Sequence, residues 1–216
     1  MTKTFSVLFL FLALISCNKN QEQRQTSLNH KLSKKKSEQL PQMQEDVPKE
    51  ARSWDADVYL VNFNEEQEAK VMKAIAIIKK VISSEEFKDR VLNYTYEGKK
   101  GFFGNEGMTN EEVYQKILEG AEKMGNTSKN NIMDVELELY HQTTNTIGYT
   151  YPNTVRIWMN MKYFTKYTPI KVADNLMHEW MHKLGFTHAV TWSQSRDHSV
   201  PYAIGYLVEE LAEKYQ

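Results

Sequence analysis

The stretch His178-Glu179-Trp180-Met181-His182-Lys183-Leu184-Gly185-Phe186-Thr187-His188 sets three imidazoles and one carboxylate at fixed offsets. Two His at i and i+4 lie on one face of a helix, one turn apart, so His178 and His182 can converge on one metal ion. Glu179 stands beside the first of them, where a carboxylate can take a proton from water. Gly185 is placed to end the helix and to adopt the positive φ that residues with a Cβ resist. The turn then swings His188 back as a third ligand. Three protein ligands leave a fourth position open, which separates a catalytic zinc from a structural one.

The flanking residues predict the helix that this geometry needs. Thr168-Pro169 is a helix start, with Thr as N-cap and Pro at the first helical position. From Lys171 to Leu184 the residues sort by helical phase. Val172, Ala173, Leu176, Met177, Trp180, Met181 and Leu184 share an apolar side, whereas Lys171, Asp174, Asn175, His178 and His182 share the other. The paired His therefore sit in the polar stripe and should face a cleft, with Trp180 and Met181 in the core.

The full pattern H-E-x-x-H-x-x-G-x-x-H resembles that of the metzincin clan of zinc endopeptidases. The specific likeness is confined to this motif, and the order of predicted elements extends it over the last ~160 residues, a usual domain size. The resemblance implies Zn2+ as cofactor, His178, His182 and His188 as its ligands, and Glu179 as general base. Clan members carry a methionine in a turn beneath the zinc. Here no Met follows Met181, and Ser199-Val200-Pro201-Tyr202 stands at the corresponding place. Some members have a Tyr close after that Met which touches the metal or steadies the transition state. Tyr202 either fills that role or packs at the start of the last helix. Other third ligands remain open on the residues alone. His198 or Asp197 can replace His188, or orient a ligand from behind. Glu209 and Glu210 offer a later carboxylate, although beside Leu207, Val208 and Leu211 they read more simply as the wet face of an amphipathic helix. His30 and His141 are set apart from the motif.

The N-terminus reads as a targeting segment. Lys3 gives a basic start, and Phe5 to Ile15 is an apolar run too short to span a bilayer. Leu14-Ile15-Ser16-Cys17 resembles a bacterial lipobox, which implies a signal peptide over 1–16 and a lipidated Cys17. Cys17 is the only cysteine, so no disulfide can form within the chain, and zinc and core packing must hold the fold. Residues 17–52 read as a tether, rich in Gln, Lys, Ser, Asn and Glu. As a flexible chain it would span roughly 35 Å on average. The expected location is extracytoplasmic, on a membrane. Formal net charge is −1, with no basic patch interleaved with aromatics, which argues against nucleic acid.

Residues 53–216 suffice for one domain. Asp57 to Phe63 reads as a strand. Asn64, with Gln67 at N3, starts a helix whose Val71, Met72, Ile75, Ile78 and Ile82 recur at core spacing. A second helix follows Ser84, and 93–108 reads as a long loop. Thr109 and Glu112 form another capping box before a helix to about Met124. Val135, Leu137 and Leu139 alternate with Glu136 and Glu138 as a half-buried strand. Ile147–Tyr151 and Thr154–Met159 flank Pro152-Asn153 as a hairpin, and a last helix runs from about Pro201 to Lys214. The expected fold is α+β: a small metzincin-like zincin domain whose mixed twisted sheet packs on helices, among them an active-site helix and a C-terminal one. The expected function is a monomeric, lipid-anchored zinc metalloendopeptidase acting on peptide or protein substrates. The alternatives are an inert zinc-containing surface binding lipoprotein, or a zinc amidase acting on cell-wall peptides.

Overall fold

Alternation along one strand organises the sheet. In β4 (Ile132–Tyr140) every second residue is buried, so Met133, Val135, Leu137 and Leu139 face the core while Asp134, Glu136 and Glu138 face outward. That is the period-two burial expected of a strand with one wet face. Arg156 bridges Glu136 and Glu138 on the outer face. The computed structural model describes residues 54–120, 122–123 and 129–214. The predicted signal peptide, lipidated Cys17 and tether lie outside the described residues. All described residues belong to the unit Lys49–Gln216.

β4 pairs in parallel with β1 (Asp55–Val61) on one side and β6 (Arg156–Asn160) on the other. β5 (Gly148–Thr150) runs antiparallel to β6 and forms the edge, giving the order β1-β4-β6-β5. The predicted hairpin is therefore present. Of its two strands only β5 is an edge, whereas β6 is interior.

The two capping boxes form as expected. Asn64 and Gln67 bond reciprocally at the start of α1 (Glu65–Ile82), as do Thr109 and Glu112 at the start of α3 (Asn110–Glu119). Two expectations need correction. Met72 is 49% exposed, because one residue past Val71 the helix has turned its side chain off the buried face. The helix expected to reach Met124 ends at Glu119, where Gly120 takes φ 60 against the Ile132 carbonyl; no residue with a Cβ fits there. Between these helices lie α2 (Glu85–Leu92), capped by Ser84, and a small hairpin of β2 (Thr95–Tyr96) and β3 (Lys99–Lys100) inside the predicted loop.

The chain continues through α4 (Met161–Phe164), α5 (Pro169–Lys183), α6 (Gln194–Asp197) and α7 (Val200–Glu213). The molecule is α+β, with the mostly parallel sheet packed on helices. Helix α5 is the centrepiece. Val172, Ala173, Leu176, Met177, Trp180 and Met181 on its apolar side are fully buried. Each large side chain among them contributes about 2 kcal/mol of burial. Trp180 packs edge-on against Trp54, with ring centroids 5.7 Å apart. Among the described residues no helix is long and apolar enough to cross a membrane.

Candidate metal centre

Helix α5 starts where the residues predict, with Thr168 accepting from the Lys171 amide and Pro169 in the first turn. Its end builds the site. Gly185 adopts φ 98, its amide donates to the His182 carbonyl, and the Phe186 amide donates to the Met181 carbonyl. This is the paired bonding of a Schellman turn, closed by the buried Met181 and Phe186 side chains. The turn brings His188 back over the helix. The ring centroids of His178, His182 and His188 lie 4.8 to 5.2 Å apart, and one nitrogen from each ring falls within 4.8 Å of the others. These three His can hold a metal ion.

Hydrogen bonds behind the rings set which nitrogens face inward. His182 Nδ1 lies 2.8 Å from the Phe186 carbonyl and His188 Nδ1 lies 2.9 Å from the Ala189 carbonyl. A carbonyl only accepts, so both Nδ1 atoms carry the proton and both Nε2 atoms present lone pairs. His178 Nε2 sits 3.1 Å from His188 Nε2. Two nitrogens bound tetrahedrally to one zinc at 2.0–2.1 Å stand about 3.3 Å apart. The residues thus fit the ion in donor type, tautomer and spacing. Burial also keeps the rings neutral. It pushes His178 well below its usual range, helped by the neighbouring rings and Arg196. Burial takes His182 down to about 4 and lowers His188 as well. Protons therefore compete weakly with a cation for these lone pairs.

Glu179 lies beside His178 and is buried; that burial pushes its carboxyl up to about 8, against the pull of the Lys183 ammonium. The edge strand passes directly over it. A Cβ on Gly148 would stand 2.9 Å from Asn175 Oδ1 and 3.2 Å from Glu179 Oε1. From the opposite side α7 brings Tyr202, whose ring centroid is 4.3 Å from that of His178 and 4.7 Å from that of His188. Tyr202 is in the first turn of α7, where it packs at the start of the last helix and beside the His178 and His188 rings. Gly148, Tyr151, Lys171, Val190, Arg196 and Tyr206 help line the surrounding cleft.

The alternative ligands go elsewhere. His198 Nδ1 bonds the Tyr94 hydroxyl at 2.7 Å, and its ring packs on Tyr96. Asp197 is not in the cluster. Glu209 pairs with Lys171, and Glu210 holds Arg90 in a two-bond fork at 2.9 and 2.7 Å. His141 follows β4 and takes no part. Sequence reasoning missed three residues around the site. Lys183 is 4% exposed and donates from Nζ to the Tyr151 and Thr154 carbonyls, tying the β5–β6 hairpin to α5. Glu122 accepts from Trp180 Nε1 at 2.6 Å, anchoring the helix between its two His. Arg196 lies over the Tyr202 ring, 4.5 Å from its centroid. Contacts made in space mark these three, and no local pattern carries them.

No protein-family model matches the chain, and no curated protein is similar enough to it to count as a match.

Proposed function

We propose that this chain is a zinc-dependent metalloendopeptidase of metzincin type, held outside the cytoplasm by lipid on Cys17. The observation that carries the reading is the convergence of the His178, His182 and His188 imidazoles beside buried Glu179, next to a sheet edge that is unpaired among the described residues. A purely structural zinc site has no need of a carboxylate in that place.

Zinc, when bound, supplies Lewis acidity that activates water and polarises a carbonyl. His178, His182 and His188 would hold it, and the backbone carbonyls behind His182 and His188 keep those two rings aimed. Glu179 accepts a proton from the attacking water and passes it to the leaving amine as the C–N bond breaks. Tyr202, whose ring lies beside those of His178 and His188, would donate its hydroxyl to the oxyanion that forms on the carbonyl oxygen. An extended peptide pairs with the free edge of β5 by β-augmentation, which lays its backbone across the cleft above Glu179.

Metal analysis of the purified protein, together with digestion of a peptide library with and without chelator, tests the proposal. Stoichiometric zinc and chelator-sensitive cleavage are expected. Glu179→Ala should keep the zinc and lose hydrolysis by about 100-fold or more; undiminished turnover in that variant overturns the assignment of the base. Loss of the lipid label on Cys17→Ala is the corresponding test of the anchor.

A further inference from the structure

The cleft contains a cation that the proposed chemistry leaves idle. Arg196 lines it from α6, and its charge is felt at both His178 and His188. Its guanidinium carbon lies over the Tyr202 ring, 4.5 Å from the centroid, one ring away from the three His. Among the described residues it pairs with no carboxylate. Its side chain makes one long bond, from Nη1 to the Val190 carbonyl at 3.4 Å, and its Nε is buried without a partner. Of the other cleft charges, Lys171 is held by Asp174 at 3.5 Å and by Glu209, Glu179 is the proposed base, and Lys123 stands exposed beside Gly185. A guanidinium offers five donors in a planar fork that matches a carboxylate. Contact with the Tyr202 ring restricts the side chain before a ligand arrives, which lowers the entropy lost on binding. Buried donors without acceptors favour a ligand that supplies them.

We propose that Arg196 is a carboxylate-recognising subsite, so that the cleft prefers peptides bearing a carboxylate within about two residues of the scissile bond, given a rise of 3.3–3.6 Å per extended residue. The proposal deepens the peptidase reading and rests on it for the identity of the ligand. The carboxylate can come from a Glu or Asp side chain or from a free C-terminus; both present the same two oxygens to the fork.

The test uses the full-length zinc-loaded protein and peptides matched in pairs, Glu against Gln, each with a free and an amidated C-terminus. Binding is measured calorimetrically to the Glu179→Ala variant, and kcat/KM is measured on the parent protein. The carboxylate peptide should be favoured by about tenfold or more in both assays, as a charge-assisted fork implies. In Arg196→Gln the preference should fall to about one. Arg196→Lys should restore only part of it, because an ammonium keeps the charge without the fork. Zinc content and melting temperature of each variant report whether it folds; should Arg196→Gln fail to fold, the Arg196→Lys ratio decides. An advantage that follows the Glu/Gln exchange identifies a side-chain carboxylate, and one that follows amidation identifies a C-terminal one. Equal binding across all pairs in the Glu179→Ala protein, or a preference unchanged when Arg196 is also replaced, overturns the subsite. Arg196-dependent binding without any cleavage keeps the subsite and overturns the peptidase reading.

Discussion

Glu122→Gln should change the pH dependence of stability in a direction and amount that the structure sets. Glu122 is 2% exposed. Its Oε1 accepts from Trp180 Nε1 at 2.6 Å and from the Asp134 amide at 3.0 Å, while Oε2 has no hydrogen-bond partner. Burial pushes its carboxyl up from 4.5 to about 7, against those hydrogen bonds. The folded state therefore holds the proton more tightly than the unfolded chain does. The resulting stabilisation is fully present below pH 4.5, is lost as pH rises through about 7, and is flat beyond. A gap of about 2.5 pH units at 1.36 kcal/mol each comes to roughly 3 kcal/mol. Glutamine keeps the Oε1 acceptor and cannot ionise. The Gln variant should be of similar stability to the parent, or slightly lower, at pH 4.5, and more stable by roughly 2–3 kcal/mol at pH 8, the amide's extra donor costing about 1 kcal/mol throughout. Urea unfolding of both proteins at the two pH values, at one fixed zinc concentration, measures this, because subtraction cancels every other titrating group. A parent-to-variant difference that stays the same at both pH values refutes the reasoning.

Lys183→Met removes the donor to the Tyr151 and Thr154 carbonyls. It should cost about 2–4 kcal/mol in urea unfolding, since two buried acceptors lose their partner, and KM for extended peptides should rise more than kcat falls. Gly148→Ala places a methyl against Asn175 and Glu179; zinc content should stay near stoichiometric while kcat drops by about tenfold, because a misplaced base costs positioning. In Gly205→Ala the new Cβ meets Asp174 Oδ1 at 2.5 Å and the Asp174 carbonyl at 3.0 Å. Overpacking of that kind should lower stability by about 1–3 kcal/mol, read as a fall in melting temperature.

What could be read from the residues was local. A capping box is an i,i+3 relation, so Asn64 with Gln67 and Thr109 with Glu112 announced where their helices start. The paired His and the buried stripe of α5 are i,i+4 relations and were equally legible, and so was the two-residue alternation of β4. What failed depended on distant partners. The rival His198 stayed open on the residues alone because its partner Tyr94 lies about a hundred residues upstream. Lys183 follows His182 as any solvated lysine might, and its burial comes from a hairpin thirty residues earlier in the chain. The parallel placement of β1 beside β4 likewise pairs Asp55 with Ile132 across three intervening helices and a small hairpin, a long loop closure that no local pattern encodes.

Three glycines show why the helix, and not the His alone, makes the cleft. Gly185 supplies the backbone angle that returns His188. Gly148 lets the edge strand approach Asn175 and Glu179 on one flank of α5, and Gly205 lets α7 approach Asp174 and His178 on the other. Only the first is visible as a motif, because only its role is confined to neighbours in sequence. The other two set how near two backbones come to the polar stripe of the same helix. At both flanks a single methyl would touch a residue next to the metal centre or in it. A site built from loops would yield to such a methyl by moving. Here α5 is locked by its fully buried apolar side, so the intrusion must be absorbed by Glu179, His178 or the approaching backbone. Rigidity on the apolar side of α5 is therefore what gives its polar side a fixed geometry, and the three His are held in place to take a metal because seven buried apolar side chains one face away cannot give.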